Sequence, residues 1–258
     1  MIAQGLLRRT GADFFAALQF LTRIPVSSLY EPDSLARAVK FFPVVGLVIG
    51  ACAALLNVLL APHLPRFVSA LLIVAFLVLI TGCLHEDGLA DAADAFGGGW
   101  TREQILTILK DSRIGSYGCA ALTLSLIARV TLLAALPSNQ VARYLIASQV
   151  LSRWTTLPLS AFLPAARTLA ASDNAGQGAR IAQRTSLGVV IFGSVFSFAV
   201  AAVALRMNAF AAVAGPILLT LVSGAYYKSR IGGVTGDCFG ATNQLTEIFV
   251  YLCGVWVA

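Results

Sequence analysis

"FVSALLIVAFLVLITGCLHEDGLADAADAFGGGW", residues 67–100, joins two incompatible halves. Residues 67–84 carry no charge, and a helix of roughly 18 to 20 such residues crosses a hydrocarbon layer of about 30 Å. The following two and a half turns set Glu86, Asp87, Asp91 and Asp94 within nine positions. Four carboxylates are too costly to leave facing lipid. The first half therefore reads as a membrane span and the second as the chain emerging at its polar boundary.

The rest of the chain repeats the first half. Of 258 residues, 58% are apolar and only 12% charged, with a mean hydropathy of +0.83, more apolar surface than a soluble core can absorb. Apolar windows predict helices near 41–61, 67–84, 115–136, 141–163, 187–204, 209–227 and 238–257. The expected fold is all-α, one polytopic membrane domain over residues 1–258 with about seven transmembrane helices. "DFFAALQFLTRIPV", residues 13–26, has too few apolar positions to span and suits a short N-terminal helix lying at the interface. Arg8 and Arg9 are followed by Gly11, Asp13 and Gln19 rather than a clean apolar core, so no cleaved secretory signal is expected.

Lys and Arg set the orientation. With the N-terminus cytoplasmic, the inner segments hold Arg8, Arg9, Arg23, Arg37, Lys40, Arg102, Lys110, Arg113, Arg167, Arg180, Arg184, Lys228 and Arg230. The outer side holds only Arg66, Arg143 and Arg206, while Arg129 and Arg153 fall within spans. The net charge of +6 follows from this bias and from attraction to anionic lipid headgroups, and calls for no nucleic-acid partner. Cysteines 52, 83, 119, 238 and 253 are an odd, dispersed set without a C-x-x-C pair, which reads as small buried residues rather than a disulfide or metal framework.

The acidic segment then lies on the cytoplasmic side. As a helix it places Asp87, Asp91 and Asp94 at i, i+4 and i+7, on one face. Like charges at this spacing repel by a few tenths of a kcal/mol per pair, and a cation reverses the sign. Carboxylate oxygens, with one nearby His85 and no thiol pair, suit Mg²⁺ or Mn²⁺ better than zinc. Gly88 within the string leaves room for a ligand to approach the backbone. "LKDSRIGSYG", residues 109–118, adds Asp111 and Arg113; the guanidinium can fork onto phosphate oxygens, and Gly115 and Gly118 open a helix start to anions. "SRIGGVTGDCFGATNQLTE", residues 229–247, brings Asp237, with Asn243, Gln244 and Glu247 following on the same helix. The cytoplasmic segments near 85–114 and 228–240 are the expected active site.

"FFPVVGLVIG" at 41–50, "LHEDGLADAADAF" at 84–96, "DSRIGSYG" at 111–118 and "TGDCFGATNQLTE" at 235–247 resemble the cobalamin synthase family, adenosylcobinamide-GDP ribazoletransferases, in the family's order. The most specific piece is the H-x-D-G-x-A-D-x-x-D string. The resemblance implies a bacterial inner-membrane, Mg²⁺-dependent enzyme that joins α-ribazole or its 5′-phosphate to adenosylcobinamide-GDP and releases GMP. On that reading Asp87, Asp91 and Asp94 hold metal. Asp111 is the candidate base, with His85 positioning the hydroxyl or the leaving GMP. Arg113, Asp237, Glu247 and Gly88 contact substrate. The acidic string also resembles the CDP-alcohol phosphotransferase signature D-x-x-D-G-x-x-A-R, departing from it around Asp91. A phospholipid-synthesis enzyme of that kind and a cation-coupled transporter are the alternatives, and association of protomers into a homo-oligomer stays open.

Overall fold

A computed structural model describes residues 2–26, 34–166 and 185–257. Arg167, Arg180 and Arg184, used above for orientation, lie outside the described residues. Within them the chain forms twelve α-helices: α1 (Ile2–Leu21), α2 (Ser34–Ala38), α3 (Phe42–Leu60), α4 (Arg66–Thr81), α5 (Leu84–Gly98), α6 (Arg102–Ile108), α7 (Ser116–Ala135), α8 (Val141–Trp154), α9 (Thr156–Phe162), α10 (Leu187–Leu205), α11 (Ala209–Ile231) and α12 (Gly236–Trp256). The β-type pairing among the described residues is one isolated bridge, Ala165 to Val234.

Helices occupy every position expected of a span, but the membrane count differs. Three segments are long and apolar enough to cross: 35–60, 116–135, and 187–231, where a single 3-10 turn separates α10 from α11. A fourth is available if α4 and α5, bent by 88° at their junction, form one broken crossing. The expected seven is not reached on length and composition. α4 has only 16 residues, α10 and α11 are joined in one segment, and the other two losses are α8 and α12. Both are packed inside protein, α8 against α3, α10 and α12, and both carry buried polar side chains that lipid would not tolerate: Ser148, Gln149, Ser152 and Arg153 on one, Thr242, Asn243, Gln244 and Glu247 on the other. The lipid-compatible surface belongs to outer helices, where Leu79, Leu124, Phe192, Val203 and Phe210 are exposed. The N-terminal helix is also longer than the interfacial element expected, reaching back to Ile2.

Small residues set the helix spacing. Pro43 sits in the first turn of α3, where its missing N–H costs nothing. A Cβ added to Gly50 would stand 2.8 Å from the Ile146 Cα, so α3 and α8 meet backbone to backbone. Between α4 and α5, Gly82 and Cys83 both adopt left-handed φ values of 62° and 61°. Two such residues in succession turn the chain sharply, and only the glycine does so without strain. The Arg23 side chain packs on Gly82, and the Arg23 N–H donates to the Ile80 carbonyl at 2.7 Å, fixing the corner that aims the acidic helix.

Candidate active site: an acidic cleft over a buried ion network

Helix α5 lies between α7 and α12 and runs antiparallel to both. At its C-terminal end Asp94, buried, accepts the Gly115 N–H at 2.6 Å through Oδ2 and the Gly118 N–H at 2.9 Å through Oδ1. The helix start at Gly115 does face an anion, as the sequence suggests, but the anion is the carboxylate of Asp94. Gly118 is required there: a Cβ would stand 2.8 Å from the Ala90 carbonyl and collide with Asp94 itself.

Against α12, Gly88 meets Gly240. A Cβ on Gly88 would lie 3.1 Å from the Gly240 Cα and 3.3 Å from the Asp237 Cα. Gly88 is thus buried in a helix crossing rather than open to a ligand. The crossing brings Asp237, from the first turn of α12, to the face of α5 that carries Asp87 and Asp91. Asp87 is exposed, and Asp91 and Asp237 are half-buried. Asp91 lies outside the three apolar crossings. Its burial first, then the negative charges of Asp87, Asp237 and Asp94, push its carboxyl up to about 6. A carboxylate crowded this way is strongly stabilised by a cation.

Beneath the cleft lies a network that sequence reasoning did not assemble. Arg129 of α7, 1% exposed, donates from Nη1 to Glu86 Oε1 at 2.6 Å and from Nε to Glu247 Oε1 at 3.0 Å. Gln244 donates to the same Glu86 oxygen at 3.2 Å and accepts from Ser125 at 3.1 Å, while the Tyr251 hydroxyl donates to Glu247 at 3.0 Å. One guanidinium therefore ties α5, α7 and α12 together. Arg153 of α8 is buried beside them, donating from Nη1 to Gln149 Oε1 at 2.7 Å. Glu247, expected at the substrate, belongs to this network. The signal that could have found it is in-span charge: Arg129, Arg153 and Glu247 fall within apolar segments, where a charge is tolerated only with partners.

His85 is buried with the network and does not face the cleft. Asp111 and Arg113 stand apart in the loop before α7 and form a pair at 2.6 Å, with Arg113 largely exposed. The guanidinium beside it holds the Asp111 carboxyl at about 2, which makes it a weak proton acceptor at neutral pH. Two further basic residues counted for orientation act as loop ties: Arg102 donates to the carbonyls of Ile231 (2.9 Å) and Ala166 (2.8 Å), and Arg230 to that of Gly99 (2.8 Å).

Among the described residues, the groups that converge on the cleft are the carboxylates of Asp87, Asp91 and Asp237. Among the described residues no three His, Cys, Asp or Glu side chains close into a ligand cage. That donor set fits Mg²⁺, which is usually held by one or two carboxylates and completes its octahedron with water and substrate phosphates.

Apolar helices enclosing a paired ion cluster and opening to a carboxylate-lined cleft define a helical membrane protein with a polar site at one end. The family model described as cobalamin-5-phosphate synthase matches residues 13–255. Relatives named adenosylcobinamide-GDP ribazoletransferase include proteins of Azorhizobium caulinodans (43% identical, covering 95% of this chain and 96% of the relative), Sinorhizobium medicae (41%; 95% and 96%) and Shewanella frigidimarina (39%; 93% and 92%). The chain belongs to the cobalamin-5-phosphate synthase family and is a transferase of cobalamin synthesis. No solved structure matches it.

Proposed function

We propose that the chain joins α-ribazole or its 5′-phosphate to adenosylcobinamide-GDP at the acidic cleft, giving adenosylcobalamin or its 5′-phosphate and GMP. The observation that carries this reading is the convergence of Asp87 and Asp91 on α5 with Asp237 on α12 in a chain of this family. A hydroxyl of the ribazole forms a new P–O bond to the phosphorus that bears cobinamide, the P–O–P bridge breaks, and GMP leaves. Asp87, Asp91 and Asp237 are the residues that would hold Mg²⁺, which would neutralise the diphosphate charge. Asp94, with both oxygens on backbone N–H groups, positions α5 against α7. Arg113, free at its far end, is placed to fork onto a phosphate, with Asp111 orienting it. Asp111 and His85 are poor proton acceptors here, one too acidic and the other buried, so the hydroxyl proton passes to a carboxylate of the cleft.

In this reading the protein is a multi-pass protein of the bacterial inner membrane. The seven apolar segments cross it, with α8–α9 and α12 shielded by the others, and the N-terminus and acidic cleft face the cytoplasm. The test is direct. Purified protein in detergent, given adenosylcobinamide-GDP, Mg²⁺ and either acceptor, should release GMP, and chelation should stop it. Release of CMP from a CDP-alcohol donor, with none of GMP, would move the chain to the phospholipid-synthesis reading.

A further inference from the structure

At the end of the bundle opposite the acidic cleft, the turns 136–140 and 204–209 contain no Asp or Glu. A cavity of about 260 Å³ opens between them, lined by Arg143, Arg206, Gln140, Asn208 and Tyr144, and no acidic residue lines it. The third basic residue of this end, Arg66, is engaged with the Leu136 carbonyl. Among the described residues, Arg143 and Arg206 thus bring two positive charges to one concavity that no carboxylate lines.

Three further features point to an anion. The Tyr144 side chain is buried to 1% exposure and lines the cavity, with its hydroxyl beside the Asn208 side chain. Gln140 and Asn208, the N-cap residues of α8 and α11, line the cavity with amide side chains, and neither side chain caps its helix. Arg206 itself has φ 55° and ψ −122°, a conformation glycine adopts freely and an arginine only with strain.

The surroundings select the source of the anion. Val203, Met207 and Phe210, flanking the strained turn, are 81%, 92% and 85% exposed, as side chains facing acyl chains are. We propose that this cavity binds the phosphate group of a membrane phospholipid, with Arg143 and Arg206 on its oxygens and the acyl chains along α10 and α11. The site is separate from the transfer chemistry and stands whether or not that reaction is as proposed.

The test uses the full chain in detergent, titrated with dioleoylphosphatidylglycerol or dioleoylphosphatidylcholine and read by native mass spectrometry. The anionic lipid should be retained more tightly. Arg143→Gln combined with Arg206→Gly should weaken its retention by at least about tenfold, the loss expected when charge-assisted hydrogen bonds to phosphate are removed. The glycine relieves the strained turn, so the variant should melt no lower than the parent. Arg66→Gln should retain lipid normally, Arg143→Lys with Arg206→Lys should retain most of it, and GMP release should be unchanged throughout. Undiminished lipid retention in the Gln/Gly variant would overturn the proposal. So would displacement of the lipid by millimolar inorganic phosphate, which would make the cavity a site for soluble phosphate.

Discussion

Asp91→Asn separates the two roles a carboxylate cluster can have. The substitution keeps the side chain's shape and removes its charge. In the metal-free protein Asp91 is destabilising at neutral pH, because its carboxyl is held near 6 rather than at its ordinary 3.8. The folded state binds the proton more tightly than the unfolded state, so the protonated group favours folding below about pH 4, and that advantage is lost as pH rises through 6. A fully sheltered group would lose about 3 kcal/mol over that window. Asp91 is half open to solvent, and screening reduces the figure to about 1 kcal/mol. Metal-free Asp91→Asn should therefore melt about 2–4 °C above the parent at pH 7.5 and match it at pH 4. Turnover should move the other way, by at least about a hundredfold or roughly 3 kcal/mol, because the charge that draws Mg²⁺ to the diphosphate is gone. Mg²⁺ should raise the melting temperature of the parent and leave the variant unchanged. Thermal melts in detergent at the two pH values, with and without Mg²⁺, alongside GMP release, read all of this. A variant that turned over normally, or melted lower than the parent at pH 7.5, would refute the reasoning.

Arg129→Gln should cost about 3–5 kcal/mol, since it leaves Glu86 and Glu247 buried without a counterion; the double variant with Glu247→Gln should recover part of the lost melting temperature, and failure to recover any would mean the pair is not coupled. Gly118→Ala should lower membrane abundance and melting temperature, because the new Cβ meets the Ala90 carbonyl and Asp94; a normal melt would show that α5 and α7 have slack. Arg113→Ala should leave abundance unchanged, its side chain being 86% exposed, while raising KM for adenosylcobinamide-GDP. A fall in kcat with unchanged KM would place Arg113 outside substrate binding.

The sequence was most legible where one physical requirement acted locally. Apolar length placed a helix at every expected span, and the seven-residue reach from Asp87 to Asp94 placed the carboxylates on α5 before any contact was known. The pairing of Gly88 with Gly240 was not legible, because a small residue in a helix reads equally as room for a ligand and room for another helix, and only the crossing decides. The same ambiguity hid the anion at Gly115 and Gly118, which arrives from twenty-one residues earlier in the chain as Asp94.

Membrane depth was the harder matter. Hydropathy windows mark 141–163 and 238–257 as apolar segments, but they cannot register that Gln149, Arg153, Gln244 and Glu247 are covered by other helices and that α8 and α12 form the inside of the bundle. Their burial follows from the charges they hold. Arg129 can sit at 1% exposure only because α5 and α12 each deliver a glutamate to it. This turns the Glu86 face of α5 into the bundle and leaves the adjoining face, with Asp87 and Asp91 beside Asp237, at the opening. The buried ion cluster and the acidic cleft are thus consecutive faces of one short helix. A change that slides α5 by one turn would empty both.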